Sequence, residues 1–237
     1  MGGLPKKLHM KIIQLAFALL ISSNSFAQFA VIKDNDGYVN IRTEASKGNN
    51  ISDKLNNGFV VYCFEPQNNW INIDYSKNNK DLSGYLYKDR VKYLSDFEKI
   101  PLVKETKTKV VFQKADITIS IESKNFQSNT AKLSYFKDCK SIIEKINGKH
   151  FWGTDGGIPK TAFKSITITI ESQTIELPKN AFEDLFEPNL FRTQINYDKN
   201  SNTLYISSSN SDGAGSYEMV WVIEKGQYKE RKVAYGF

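Results

Sequence analysis

Gly37-Tyr38-Val39-Asn40-Ile41-Arg42 alternates the aliphatic Val39 and Ile41 with the polar or aromatic Tyr38, Asn40 and Arg42. Side chains on a strand point to opposite faces in turn, so this is the pattern of a strand with one buried face. Asn69-Trp70-Ile71-Asn72-Ile73 and Gly84-Tyr85-Leu86-Tyr87-Lys88 repeat the pattern. Working outward from them, five short strands are expected: Ala30–Lys33, Tyr38–Arg42, Val60–Phe64, Trp70–Asp74 and Gly84–Lys88. Asn35-Asp36-Gly37 and Asn56-Asn57-Gly58 supply residues that tolerate tight-turn backbone. Short strands in such succession, with no helix between them, favour a small closed or nearly closed barrel.

Four of these motifs, in this order, resemble a bacterial SH3 (SH3b) domain: Gly37 to Arg42, then Asn57-Gly58 with Val60-Val61, then Asn69 to Ile73, then Gly84 to Lys88 with Arg90-Val91. The resemblance covers residues 28–94. It implies a binding module that attaches exported bacterial proteins to peptidoglycan or recognises its short peptides. Its ligand-contact candidates are Tyr38, Asn40, Arg42, Trp70, Tyr85 and Tyr87, since aromatic faces and a few fixed donors suit sugars and short peptides. Each aromatic has a second reading as core or edge packing, and Arg42 as the partner of a local carboxylate. The chain departs from the family pattern at Thr43-Glu44-Ala45-Ser46, where a Gly-Pro turn is usual, and in a longer polar loop from Ser76 to Leu82. Both departures touch ligand-contacting loops and leave the ligand type open.

Upstream, Lys6, Lys7 and Lys11 precede the apolar run Ile12 to Ile21, and Ser25-Phe26-Ala27 closes it with small residues. These are the parts of a secretory signal peptide, so residues 1–27 are expected to be removed near Ala27 and the protein exported, periplasmic or secreted. Met1 and Met10 are both candidate starts. No Cys stands at the cleavage point to carry a lipid, and no later run is long enough to span a bilayer. The whole chain of 237 residues has 32 Lys+Arg, 26 Asp+Glu and a formal charge of +6. Cleavage removes three lysines and no acid, leaving +3, too little and too scattered for a nucleic-acid partner. Export permits disulfides, and Cys63 and Cys139 are read either as a bridge between two domains or as free thiols.

Residues 95–109, charged and containing Pro101, read as a linker with one extended stretch, and residues 110–237 as a second, α+β domain with an antiparallel sheet. Its strand signals include Ile117/Ile119/Ile121, Ile166/Ile168/Ile170, and Tyr217–Glu224 with Gln227–Tyr235 about a Lys225-Gly226 hairpin. Two short helices are expected. One runs from an Asp138 N-cap through Cys139, Ile142, Ile143 and Ile146 to Gly148, and the other from Pro178 through Phe182, Leu185 and Phe186 to Pro188. The fold class expected is therefore mainly β: a small SH3-like barrel followed by the α+β domain.

This second domain resembles no family with known chemistry. Its site candidates are Asp155 and Asp212, in the loops Gly153–Gly157 and Asn210–Gly215, where glycine lets backbone N–H groups approach a ligand. Asp-Gly pairs also simply make turns. Trp152, Tyr217 and Arg231 would join them if the loops converged. Asp138-Cys139 faintly resembles the nucleophile of exported cysteine peptidases that cut wall peptides. However, the helical spacing turns Cys139 inward, and His150, the one histidine after residue 27, follows too closely. Neither a metal nor a cofactor is expected, because the histidine and cysteine content is too low for ligand clusters. The function expected is a non-enzymatic envelope-binding protein. The alternatives are a peptidoglycan-directed hydrolase with its centre in 110–237, and an inhibitor or immunity-type partner of an envelope protein.

Overall fold

The computed structural model describes residues 27–236, and the signal-peptide reading falls outside them except at Ala27. The chain is mainly β. Its strands are β1 (Gln28–Ile32), β2 (Tyr38–Arg42), β3 (Ile51–Asn56), β4 (Val60–Cys63), β5 (Trp70–Lys77), β6 (Lys80–Tyr87), β7 (Val91–Tyr93), β8 (Glu98–Lys99), β9 (Leu102–Thr106) and β10 (Lys109–Lys114). There follow β11 (Ile117–Asn125), β12 (Leu133–Tyr135), β13 (Ile143–Ile146), β14 (Thr161–Ile170), β15 (Gln173–Glu176), β16 (Thr193–Asp198), β17 (Thr203–Asn210), β18 (Tyr217–Glu224) and β19 (Gln227–Tyr235). No helix among the described residues exceeds a single 3-10 turn, and none is long and apolar enough to cross a membrane.

The first sheet runs β3-β2-β6-β5-β4-β1-β7, antiparallel throughout, and its edge strands do not pair, so the expected barrel is not closed by hydrogen bonds. Side chains bring the edges together instead. Leu55 of β3 shares one core with Ile32, Ile41, Val61, Ile71 and Leu86, and Val91 and Tyr93 of β7 pack against it. Gly84 is where β2 meets β6. A Cβ there would lie 2.4 Å from Ile41 Cγ2 and 2.9 Å from the Arg42 carbonyl oxygen, so only glycine fits this approach. The two turns beside it are knitted by a reciprocal pair. Asp34 N–H donates to Asn57 Oδ1 (2.8 Å), Asn57 Nδ2 donates to the Asp34 carbonyl (2.7 Å), and Arg90 closes on the Asp34 carboxylate. The polar stretch Ser76–Leu82 is no loop. β5 and β6 continue through it to a tight Asn78-Asn79 turn, both with positive φ.

The second sheet, β19-β18-β17-β16-β8, is covered on both faces. Ile206, Met219, Trp221 and Ile223 on one face meet Val110, Ile119, Ile121, Ile166 and Ile168 of the third sheet, β15-β14-β11-β10-β9. On the other, Tyr205, Val220 and Val222 meet Phe29, Val31, Val60 and Tyr62, which point away from the first sheet's own core. The protein therefore has three layers of sheet, and the second sheet is the middle one. Residues 95–109 add strands to the second and third sheets rather than merely linking two units. Leu94, Phe97 and Ile100 are buried, β8 pairs with β16, and β9 pairs with β10.

Neither expected helix forms. Over Asp138–Gly148, Ile143 and Ile146 lie in β13, paired with β12, while Ile142 is exposed. β-Branched residues favour strands, and Asn147-Gly148, both at positive φ, makes the tight turn that joins Ile146 to Lys149. After Pro178, a 3-10 turn stops at Ala181. The Ala181 carbonyl is taken by Trp221 Nε1 (2.8 Å) and Arg231 Nη1 (3.1 Å), and Leu185 N–H bonds Phe182 instead. Side chains of β18 and β19 thus occupy the acceptor that a continuing α-helix would use.

Candidate functional site

The six residues singled out in the first sheet all stand half-buried on its outer face, because Val39, Ile41, Ile71, Ile73 and Leu86 fill the inner one. They do not act as one set. Trp70 and Tyr87 are cross-strand partners whose rings lie 4.2 Å apart between centroids and 34° from parallel. One step along, Tyr85 lies between Asn72 of β5 and Arg42 of β2. Lys47 reaches over the Tyr87 ring at 5.5 Å. Together these make an aromatic ledge on the β2-β6-β5 part of the sheet, beside the β1-β4 part that the middle sheet covers.

Arg42 meets no carboxylate. Its Nη1 donates to the Gly48 carbonyl (2.9 Å) and to Asn50 Oδ1 (2.7 Å), fixing the 43–50 loop at the rim of the ledge. Tyr38 lies at the other end of β2 with its ring under Lys54 Nζ, 3.3 Å from the centroid, and Asn40 stands opposite Lys54. The ledge proper is therefore Trp70, Tyr85 and Tyr87, with Asn72 added.

The two glycine loops of the C-terminal part do converge. A Cβ on Gly215 would sit 2.8 Å from Thr154 Cα, and Ser211 Oγ donates to the Gly153 carbonyl (2.7 Å). Asp155 and Asp212 consequently line one open cleft of about 1090 Å³, together with Ile158, Lys160, Arg192 and Glu218. Glu218 has no sequence motif. It and Glu224 are the two acids of β18, and its place next to the apolar run Met219–Ile223 is the signal that could have drawn attention to it. Burial pushes its carboxyl above the usual range, opposed by a hydrogen bond from Ser209 and by Arg192.

The other candidates are engaged elsewhere. Tyr217 is fully buried and donates to the Phe186 carbonyl (2.9 Å), and Arg231 forms a bidentate pair with Asp184, both bonds 2.5 Å. Trp152 faces a different cleft, its ring tilted 55° to that of Tyr235 with centroids 4.8 Å apart. Cys63 and Cys139 are both free. Cys139 is half-exposed in a turn, and a side-chain hydrogen bond with Ser141 Oγ (3.2 Å) holds its thiol below the ordinary value. His150 packs on Phe151 and Trp152. Among the described residues, no group of three His, Cys, Asp or Glu is placed to hold a metal.

Compared with protein-family models, curated proteins and solved structures, the chain has no match.

Proposed function

We propose that this is an exported cell-envelope binding protein whose residues 28–94 act as an SH3b-like module for peptidoglycan or its short peptides. The observation that carries the reading is the stacked Trp70–Tyr87 pair, left on the uncovered part of an otherwise occupied sheet face with Tyr85 and Asn72 beside it. Flat, half-exposed rings flanked by amide donors suit sugar faces and extended peptides, which gain stacking contact without a deep pocket. A core wrapped by all the strands of the first sheet supports the SH3-like part of the reading.

The test is co-sedimentation of the chain from Gln28 onward with purified peptidoglycan. The protein should pellet, and Trp70→Ala and Tyr87→Ala should each release it while unfolding at nearly the wild-type denaturant concentration. Failure of the parent protein to pellet, or pelleting by both variants, overturns the proposal.

A second reading, a wall-directed hydrolase, is favoured by one observation: Asp155, Asp212 and Glu218 share a cleft. It requires clearing of a cell-wall suspension that Asp155→Ala or Asp212→Ala abolishes.

A further inference from the structure

The outer face of β5 and β6 continues past the ledge into a second cleft. Two residues beyond Asn72 and Tyr85 come Asp74 and Ser83, and two beyond those Ser76 and Asp81, each pair facing across the two strands. There the face is roofed by the loop carrying Trp152 and by the end of β19, enclosing about 470 Å³. Asp74 lies about 13 Å along the strand from Trp70, at ~3.3 Å per residue.

The lining has a distinct chemistry. One wall is aromatic: Trp152 against Tyr235, their rings tilted by 55°, with the Tyr62 ring beside Asp74. The floor carries two carboxylates. Asp81 accepts one hydrogen bond, from Ser76 Oγ (2.7 Å), while the Asp74 side chain makes no hydrogen bond or ion pair among the described residues. Lys232, the cation in this cleft, is already committed. It pairs with Glu230 at 2.8 Å, donates to the Ser76 carbonyl at 3.3 Å, and lies 5.1 Å from the Phe59 ring. Partial desolvation, then repulsion from Asp81, pushes the Asp74 carboxyl above its ordinary value, the mark of an anion lacking a counter-charge. A bound cation would supply that charge, and aromatic faces beside carboxylates suit a cation on an aliphatic stem.

We infer that this cleft binds an alkylammonium group carried on a short peptide, with Asp74 and Asp81 taking the charge and Trp152 and Tyr235 covering the stem. The inference does not depend on the ledge, because its ligand needs no sugar and no stacking on Trp70.

Isothermal titration of the chain from Gln28 onward distinguishes it, using acetyl-Ala-Lys-Ala-amide and the uncharged isostere with norleucine in place of lysine. The lysine peptide should bind about threefold to fivefold more tightly, the size expected when exposed carboxylates gain a counter-charge. Asp74→Asn, nearly isosteric and at an exposed position, should erase that difference without moving the unfolding midpoint. Trp152→Ala should weaken both peptides, and Asp116→Asn, in the distant β10–β11 turn, should change neither. Equal affinity for the two peptides, no heat from either at millimolar concentration, or a preference surviving Asp74→Asn combined with Asp81→Asn overturns it.

Discussion

The first sheet and the middle sheet are both antiparallel, yet they use their faces differently. β2, β5 and the Gly84–Tyr87 half of β6 alternate, with one face in a private core and the other bearing Trp70, Tyr85 and Tyr87. β18 runs Met219-Val220-Trp221-Val222-Ile223 without a polar residue, and every one of these is buried, odd positions against the third sheet and even positions against the first. Alternation leaves a face free to meet a ligand, whereas a continuous apolar run belongs to a strand covered on both sides. The candidate binding residues therefore gather on the first sheet and at the rims of the second.

The sharpest way to break this comparison is to truncate one tryptophan in each place. Trp221→Ala, fully buried with its indole N–H on Ala181, should cost about 4 kcal/mol or more and leave little folded protein at 37 °C. Trp70→Ala, on the open face, should cost about 1 kcal/mol. Urea unfolding curves measure both, and equal losses would mean that the ledge is core. Almost as large an effect is expected on excising residues 28–94. This uncovers Tyr205, Val220 and Val222 of the middle sheet, and at roughly 1.5 kcal/mol or more per side chain the fragment should aggregate or melt well below the intact protein. A fragment as stable as the parent would show that the first sheet contributes nothing to the middle one.

The two cysteines sharpen the contrast more gently. Burial in the first core pushes the Cys63 thiol up to about 12, while Cys139 lies half-exposed with its thiol lowered. A disulfide reagent at pH 8 should modify one thiol per native chain, and two only after denaturation. Two fast thiols would mean that the first core opens readily.

The smallest effect lies on the outward face of the third sheet. Glu122 is held at about 2 by hydrogen bonds from Lys109 and then Lys164, with the charges of both adding to them. A carboxyl lowered by folding stabilises the native state above its unfolded value, and that contribution is lost as pH falls from about 4.5 to 2. For so solvent-screened a group the loss should be about 1 kcal/mol, read as the difference between wild type and Glu122→Gln. A difference that does not change over that range would rule out the native pairing.

Much of the strand pattern was legible because alternation and turn residues are local. Tyr38–Arg42, Tyr217–Glu224 and Gln227–Tyr235 have the same ends in the sequence reading and in the fold. β3 was not, since Ile51–Asn56 buries only Leu55 and its polar residues carry no period. Asp138–Gly148 misled because Ile142, Ile143 and Ile146 fit helical spacing as well as a strand and turn, and the choice rested with β12, a partner that local sequence does not identify. At the site, the alternation of β2, β5 and β6 placed the six candidate residues on one outer face, where the fold has them. It could not tell that Lys54 caps Tyr38 or that Arg42 serves its own loop, because both contacts join residues from different segments.

The sequence by itself determined which alternating runs would be strands with a free face and where several of the tight turns fall, since these depend on periodicity and backbone preference over a few residues. Tertiary structure alone decided that residues 95–109 add strands to the second and third sheets, that the loops of Asp155 and Asp212 meet, and that Asp74 and Trp152 line one cleft. Those outcomes follow from the middle sheet burying both of its faces at once. That requirement draws together segments more than a hundred residues apart, and no local pattern records it.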